Sequence, residues 1–83
     1  MHGKIFTIAG SDPSGGAGVQ ADIKTISALG GYAMAAITAL TIQNTVEVSA
    51  LHPVPAFIIE AQVKTVLQDI PPDAIKVGMM GSA

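Results

Sequence analysis

Gly10 to Asp22, GSDPSGGAGVQAD, places four of the nine glycines in thirteen residues and sets two carboxylates, Asp12 and Asp22, at the ends of the run. Glycine density of this kind serves close backbone approach, a tight turn, or a cradle of N–H groups for an anion. A phosphate loop of the G-x-x-x-x-G-K-[ST] type has its two glycines here, Gly10 and Gly15, but Gly16 stands where the lysine would be, so no ammonium reaches a terminal phosphate. Gly16 to Ala21, GAGVQA, matches G-x-G-x-x-[GA], yet no acidic residue lies near position 41 to hold a ribose. The dinucleotide reading is weak and the bare turn remains open.

Other residues with chemistry to offer are few. Gln43 carries an amide that both donates and accepts toward a heterocycle edge, and Met79 offers a polarizable, flat contact. Asp12, before Pro13, fits an Asx turn, and Asp22 fits the first turn of a helix, where the dipole favours a carboxylate. Lys76 lies inside an apolar strand, where a snorkelling or paired amine is expected. His2 and His52 are far apart with no ligand cluster beside them, and Met34, Met79 and Met80 are core residues by default.

These residues need elements to position them. Lys4 to Ala9, KIFTIA, reads as a buried strand that runs straight into the glycine loop. Val19, Ile23, Ile26 and Leu29 then fall at helical spacing, and Gly30-Gly31 supplies the stop. Ala33 to Ile42 reads as a second strand and Val46 to Leu51 as a short extended piece. After His52-Pro53-Val54-Pro55, with Pro55 suited to a first helical turn, Ile59, Val63, Val66, Leu67 and Ile70 mark a second helix. Glu60 and Lys64 pair one turn apart on its wet side, and Pro71-Pro72 ends it. Ala74 to Val77 is a third strand, and Ser82 has the look of a helix N-cap. Strand, helix, strand, helix, strand with helical crossovers predicts an α/β fold on a right-handed parallel sheet. In such sheets ligands sit at the carboxyl ends of the strands, which selects Gly10 to Ala17, Gln43 to Thr45 and Gly78 to Ser82.

Composition narrows the function classes. With 83 residues one domain, or part of one, is expected. Four Lys plus Arg against six Asp plus Glu, and no arginine, disfavour nucleic acid. Absence of cysteine excludes disulfides and thiolate metal sites. The longest near-apolar run, Ala33 to Ile42, is far short of the roughly 20 residues that span a bilayer, so no membrane partner and a cytoplasmic protein are expected. A mean hydropathy of +0.54 with only 12% charged residues predicts that much of the surface is covered, by a partner subunit in a homo-oligomer or by further chain.

The long motifs TIAGSDPSGGAGVQADIKTISALGGYAMAAITALTIQNT and DAIKVGMMGS closely resemble the hydroxymethylpyrimidine/phosphomethylpyrimidine kinases of thiamine biosynthesis, members of the ribokinase-like superfamily. The resemblance runs from about Lys4 to the last residue. It implies a ribokinase-like three-layer α/β/α fold, of which residues 1–83 would be the N-terminal part of a single kinase domain with the C-terminal part absent. It also implies ATP-dependent phosphorylation, with Mg²⁺, of an aminopyrimidine's hydroxymethyl group and then of the monophosphate. By motif, Gln43 would hydrogen-bond the pyrimidine edge beside the backbone of Ile42, Met79 would pack on the ring, and Gly10, Ala17 and Asp22 would line the pocket. The family's ATP-binding elements and catalytic residue lie beyond these residues, so no catalytic residue is expected here and the chain alone is expected to be inert. Ala33, where a glycine is common, and the second methionine at position 80 are the small departures. A non-catalytic, self-associating interaction module and a pyridoxine-type vitamin kinase of the same superfamily are the rival readings.

Overall fold

The computed structural model describes residues 3–78. Six elements follow in order: β1 (Lys4–Ser11), α1 (Gly18–Ala28), β2 (Tyr32–Gln43), β3 (Val48–Pro53), α2 (Ala56–Asp69) and β4 (Ala74–Val77). The sheet order is β3-β2-β1-β4. β1 pairs in parallel with both β2 and β4, so the expected strand–helix–strand–helix–strand core is present. The extended piece after β2 becomes a full edge strand, and it is antiparallel. A parallel return would need a crossover of about a dozen residues. Here the Asn44 side chain instead caps a tight reversal, accepting from the N–H groups of Val46 at 2.9 Å and Glu47 at 3.1 Å. β1 runs two residues past its expected end through a register shift between Ala9 and Ser11.

Strand alternation sorts the side chains between two faces. Phe6 and Ile8 lie in register with Met34 and Ala36, and Val63 and Val66 of α2, with Ile70 just after it, pack on that cluster. Met34 is thus a core residue, as expected. Thr7 and Ala9 face the other way, under α1, whose Val19 and Ile26 are buried. One helix on each face of the sheet gives the three layers. The helix stripes are narrower than their periodicity predicts, since Ile23, Leu29 and Leu67 are exposed. Glu60 and Lys64 do pair on the wet side of α2, at 3.0 Å.

Helix ends follow local chemistry. α1 closes on Gly30, in the left-handed region at φ +80, with Gly30 N–H bonded to Ser27 and Gly31 N–H bonded to Ile26. That double bond pattern satisfies carbonyls the helix leaves orphaned. Pro55 is the residue before α2, not inside its first turn. From α2, the Gln62 amide donates to Ile37 O and accepts from Ile37 N–H, both at 2.9 Å, which satisfies β2 where β3 no longer flanks it. Among the described residues no helix is long and apolar enough to cross a membrane.

Candidate functional site

The glycine loop between β1 and α1 is held by three side chains. Asp12, only 4% exposed, accepts from Ser14 N–H at 2.8 Å and Ser14 Oγ at 2.7 Å through one oxygen, and from Gly16 N–H at 3.0 Å through the other. This is the Asx turn expected from Asp12-Pro13-Ser14, extended by one more donor. The Ser14 hydroxyl, aided by the N–H groups of Ser14, Gly16 and Ala17, holds the Asp12 carboxyl below its ordinary 3.8 despite burial. Gln20 reaches back from α1, accepting from Asp12 N–H at 2.8 Å and donating to Ser11 Oγ at 2.6 Å. Lys24 donates to Gly15 O at 2.9 Å.

One glycine in the loop is there for a close approach. Gly18 has φ +64, and a Cβ on it would lie 2.2 Å from Gly10 O, well inside any tolerated contact. Removing side chains at this crossing lets α1 start immediately over the end of β1 and leaves a hollow in front of it.

That hollow is a cavity of about 230 Å³ at the carboxyl ends of β1, β2 and β4. Its walls are mostly apolar: Ala9 and Gly10 from β1, Ala39 from β2, Leu51 from β3, and Ala17 and Gly18 at the start of α1. Polar groups converge on it from Thr41, Gln43, Asp22 and Lys76. A small, largely apolar hollow with a few convergent polar groups suits a planar ring better than a long ligand. Thr41 Oγ1 is committed to Ser11 O at 2.8 Å and so braces the wall.

Asp22 is the charged group best placed for chemistry. It lies one turn inside α1, beyond the first turn in which the dipole argument put it, and its side chain is 13% exposed. Thr7, fully buried on β1, donates to Asp22 Oδ2 at 2.6 Å, and the Lys76 ammonium of β4 pairs with Asp22 Oδ1. Burial pushes the Asp22 carboxyl up, but the Lys76 and Thr7 hydrogen bonds outweigh it, so the carboxyl lies below 3.8. Lys76 is thus the paired amine expected for a lysine in an apolar strand.

The structure brings Gly10, Ala17, Asp22 and Gln43 to one cavity. Ile42 is not among the lining residues, and 65% of it is exposed. Met79, Met80 and Ser82 lie outside the described residues, as does His2, and His52 is exposed on β3. Thr41, Leu51 and Lys76 also line the cavity and were not singled out as site residues. A threonine two before Gln43 on the same strand face was a usable signal for Thr41; Leu51 had none without the hairpin.

The residues in view form no dedicated set of groups for the nucleotide and metal implied by the resemblance. Among the described residues no group of three His, Cys, Asp or Glu side chains could hold a metal ion. The cavity's lysine is already committed to Asp22, so no free cation there faces a triphosphate.

Comparison with known proteins agrees with this fold. The family model described as phosphomethylpyrimidine kinase matches residues 12–83. A thiamine biosynthesis multifunctional protein, ThiED, of Corynebacterium efficiens is 51% identical over 80 residues, 96% of this chain and 11% of that protein. The crystal structure of a phosphomethylpyrimidine kinase from Clostridium difficile 630 superposes with a TM-score of 0.89 at 55% identity, over 93% of this chain and 36% of that one. A pyridoxal kinase from Staphylococcus aureus, solved with AMP-PCP and pyridoxal, superposes with a TM-score of 0.84 at 46% identity, over 98% of this chain and 30% of that one. The chain spans 11% of the length of the Corynebacterium efficiens protein and 30% of the hydroxymethylpyrimidine/phosphomethylpyrimidine kinase of Bacillus subtilis. With the three-layer α/β fold and the matched residues together, the chain belongs to the phosphomethylpyrimidine kinase family, an enzyme family of thiamine biosynthesis.

Proposed function

We propose that residues 1–83 form the ring-binding side of a cytoplasmic, ribokinase-like kinase domain that phosphorylates a hydroxymethylpyrimidine, and then its monophosphate, at the expense of ATP. The observation that carries this reading is the small apolar hollow at the strand ends, with the Gln43 amide and the Asp22 carboxylate converging on it. An aminopyrimidine presents both donors and acceptors along one edge, which an amide and a carboxylate match. Gly10 and Ala17 bring backbone close to the ring without side chains in the way. Phosphoryl transfer depends on positioning and on stabilising charge at the transferred group. The contribution of these residues is to bind and orient the alcohol, and elements outside residues 1–83 handle the nucleotide, so the 83-residue chain by itself is inert. The exposed apolar side chains, Val46 and Phe57 among them, are consistent with covering by a second copy or by further chain.

A calorimetric titration tests the proposal. The aminopyrimidine alcohol is expected to bind the full polypeptide, and Gln43→Ala to weaken it by about tenfold or more through loss of a buried hydrogen bond. Tighter binding of pyridoxal than of the pyrimidine would assign the site to the pyridoxine-type reading. Association of the chain with itself, with no ligand bound, would favour the interaction module instead.

A further inference from the structure

We infer that Lys76 and Thr7 are positioning residues that hold Asp22 as an ionised acceptor at the cavity wall, aimed at an N–H donor on the bound ring. The inference rests on the ring-binding reading above and adds which atoms are read.

Two carboxylates line the cavity, and they are not equivalent. Asp12 takes its bonds from the backbone and hydroxyl of its own loop, two on one oxygen and Gly16 N–H on the other. Asp22 instead takes its partners from two different strands, Thr7 of β1 and Lys76 of β4, one on each oxygen. Each carboxylate oxygen has two acceptor sites, so each keeps one after these bonds. A fixed carboxylate with acceptor capacity left, in a small apolar hollow, selects a ligand that brings a donor: an exocyclic amine or a protonated ring nitrogen. Thr7 and Lys76 also fix rotation, because a carboxylate bonded from two strands cannot turn its plane without losing one bond. Lys76 has no competing use in view, and its stem leaves it 60% exposed at the strand edge.

The other charged groups near Asp22 do not share this role. On α1, Lys24 is engaged by Gly15 O. On β1, Lys4 lies at the strand's far end, and β2 brings no charged side chain. Asp12 stays within its own turn.

The test measures Asp22 itself as well as the ligand. In the full polypeptide with labelled carboxyl carbons, the Asp22 signal should titrate in the acid range in the wild type, at clearly higher pH in Lys76→Met, and again in the acid range in Lys76→Arg. Pyrimidine binding to Lys76→Met should then weaken about tenfold for each unit by which the working pH lies below the raised value, while Lys76→Arg binds like wild type. Thr7→Val should move the signal in the same direction by less, and it stands in if Lys76→Met does not fold. Identical Asp22 titrations in wild type, Lys76→Met and Thr7→Val would overturn the inference. If the wild type binds no pyrimidine at any pH, the ring-binding reading fails, and the carboxyl titration still decides whether Lys76 and Thr7 hold Asp22 ionised.

Discussion

Among the described residues the chain turns from strand to helix at two places, and the two junctions are built in opposite ways. Between β1 and α1 the backbone crosses itself, with an isolated bridge between Ser11 and Gly18, two glycines at positive φ, and the side chains of Asp12, Gln20 and Lys24 all turned inward. Between β3 and α2 two prolines carry the chain across, and Pro55 O accepts from Ile58 at 3.0 Å and Ile59 at 3.2 Å as an ordinary first turn. Neither helix has a side-chain cap, so capping is not the difference. The difference is that the first junction uses glycine to remove side chains where the chain must nearly touch itself, and the space left in front becomes the cavity. Among the described residues no comparable cavity lies at the proline junction. Concavity, not the presence of a helix start, locates the chemistry.

The strongest way to break this contrast is Gly18→Val. The new Cβ would have to occupy space 2.2 Å from Gly10 O, at a φ that a β-branched residue rarely adopts. A backbone clash cannot be relieved by rotating a side chain, so a loss of about 3 kcal/mol or more is expected. Urea denaturation followed by circular dichroism measures it, and a loss under about 1 kcal/mol would mean that the crossing is not tight.

Next in size is the polar brace. In Asp12→Asn one carboxylate oxygen becomes an amide that confronts N–H donors, so the loop over residues 13–17 should open and be cut by protease at least about tenfold faster, reflecting local unfolding. The same carboxylate predicts an acid limit. Because the folded carboxyls of Asp12 and Asp22 titrate below 3.8, their contribution is complete above the ordinary carboxylate range and is lost as pH falls through the lowered folded values. Acid unfolding should therefore begin only below about pH 4, and removing both carboxylates should flatten the curve there.

Gly15→Ala is milder, although Gly15 also has positive φ, at +80. The only close atom to its new Cβ is the tip of the flexible Lys24 side chain, which can move. The cost is then mostly conformational, about 1 kcal/mol, with Lys24's bond to Gly15 O loosened and the cavity intact.

How much of this was legible depended on how far apart the partners are in sequence. The glycine loop, the Asx turn at Asp12 and the Glu60–Lys64 pair are local, and spacing alone carries them. The partner of Asp22 is not: Lys76 lies 54 residues away, so the residue types suggested a helix-dipole role for Asp22 when its bonds run to two strands. The sense of β3 was equally hidden, because a short run of Val, Ser, Ala and Leu has no direction in it. Asn44, whose side chain makes the reversal, carried the signal, but without a following glycine it does not match the common two-residue hairpin. Ile42 marks a different limit, since the motif points to its backbone while its side chain turns outward, 65% exposed.

The smallest effect belongs to the other junction. Pro55 sits at φ -55 and ψ 143, values an alanine adopts without strain, and its carbonyl keeps its two acceptor bonds whatever the side chain. Pro55→Ala therefore changes the folded state little and acts through the unfolded chain, which gains freedom that proline denies it. A loss of about 0.5 kcal/mol is expected, read as a small fall in the urea midpoint with an unchanged slope. Pyrimidine binding should be unaltered, because nothing at this junction touches the cavity. If Pro55→Ala weakened binding as much as Gln43→Ala, the two junctions would be coupled through β2 and β3, and the cavity would depend on the whole sheet edge instead of on the glycine crossing alone.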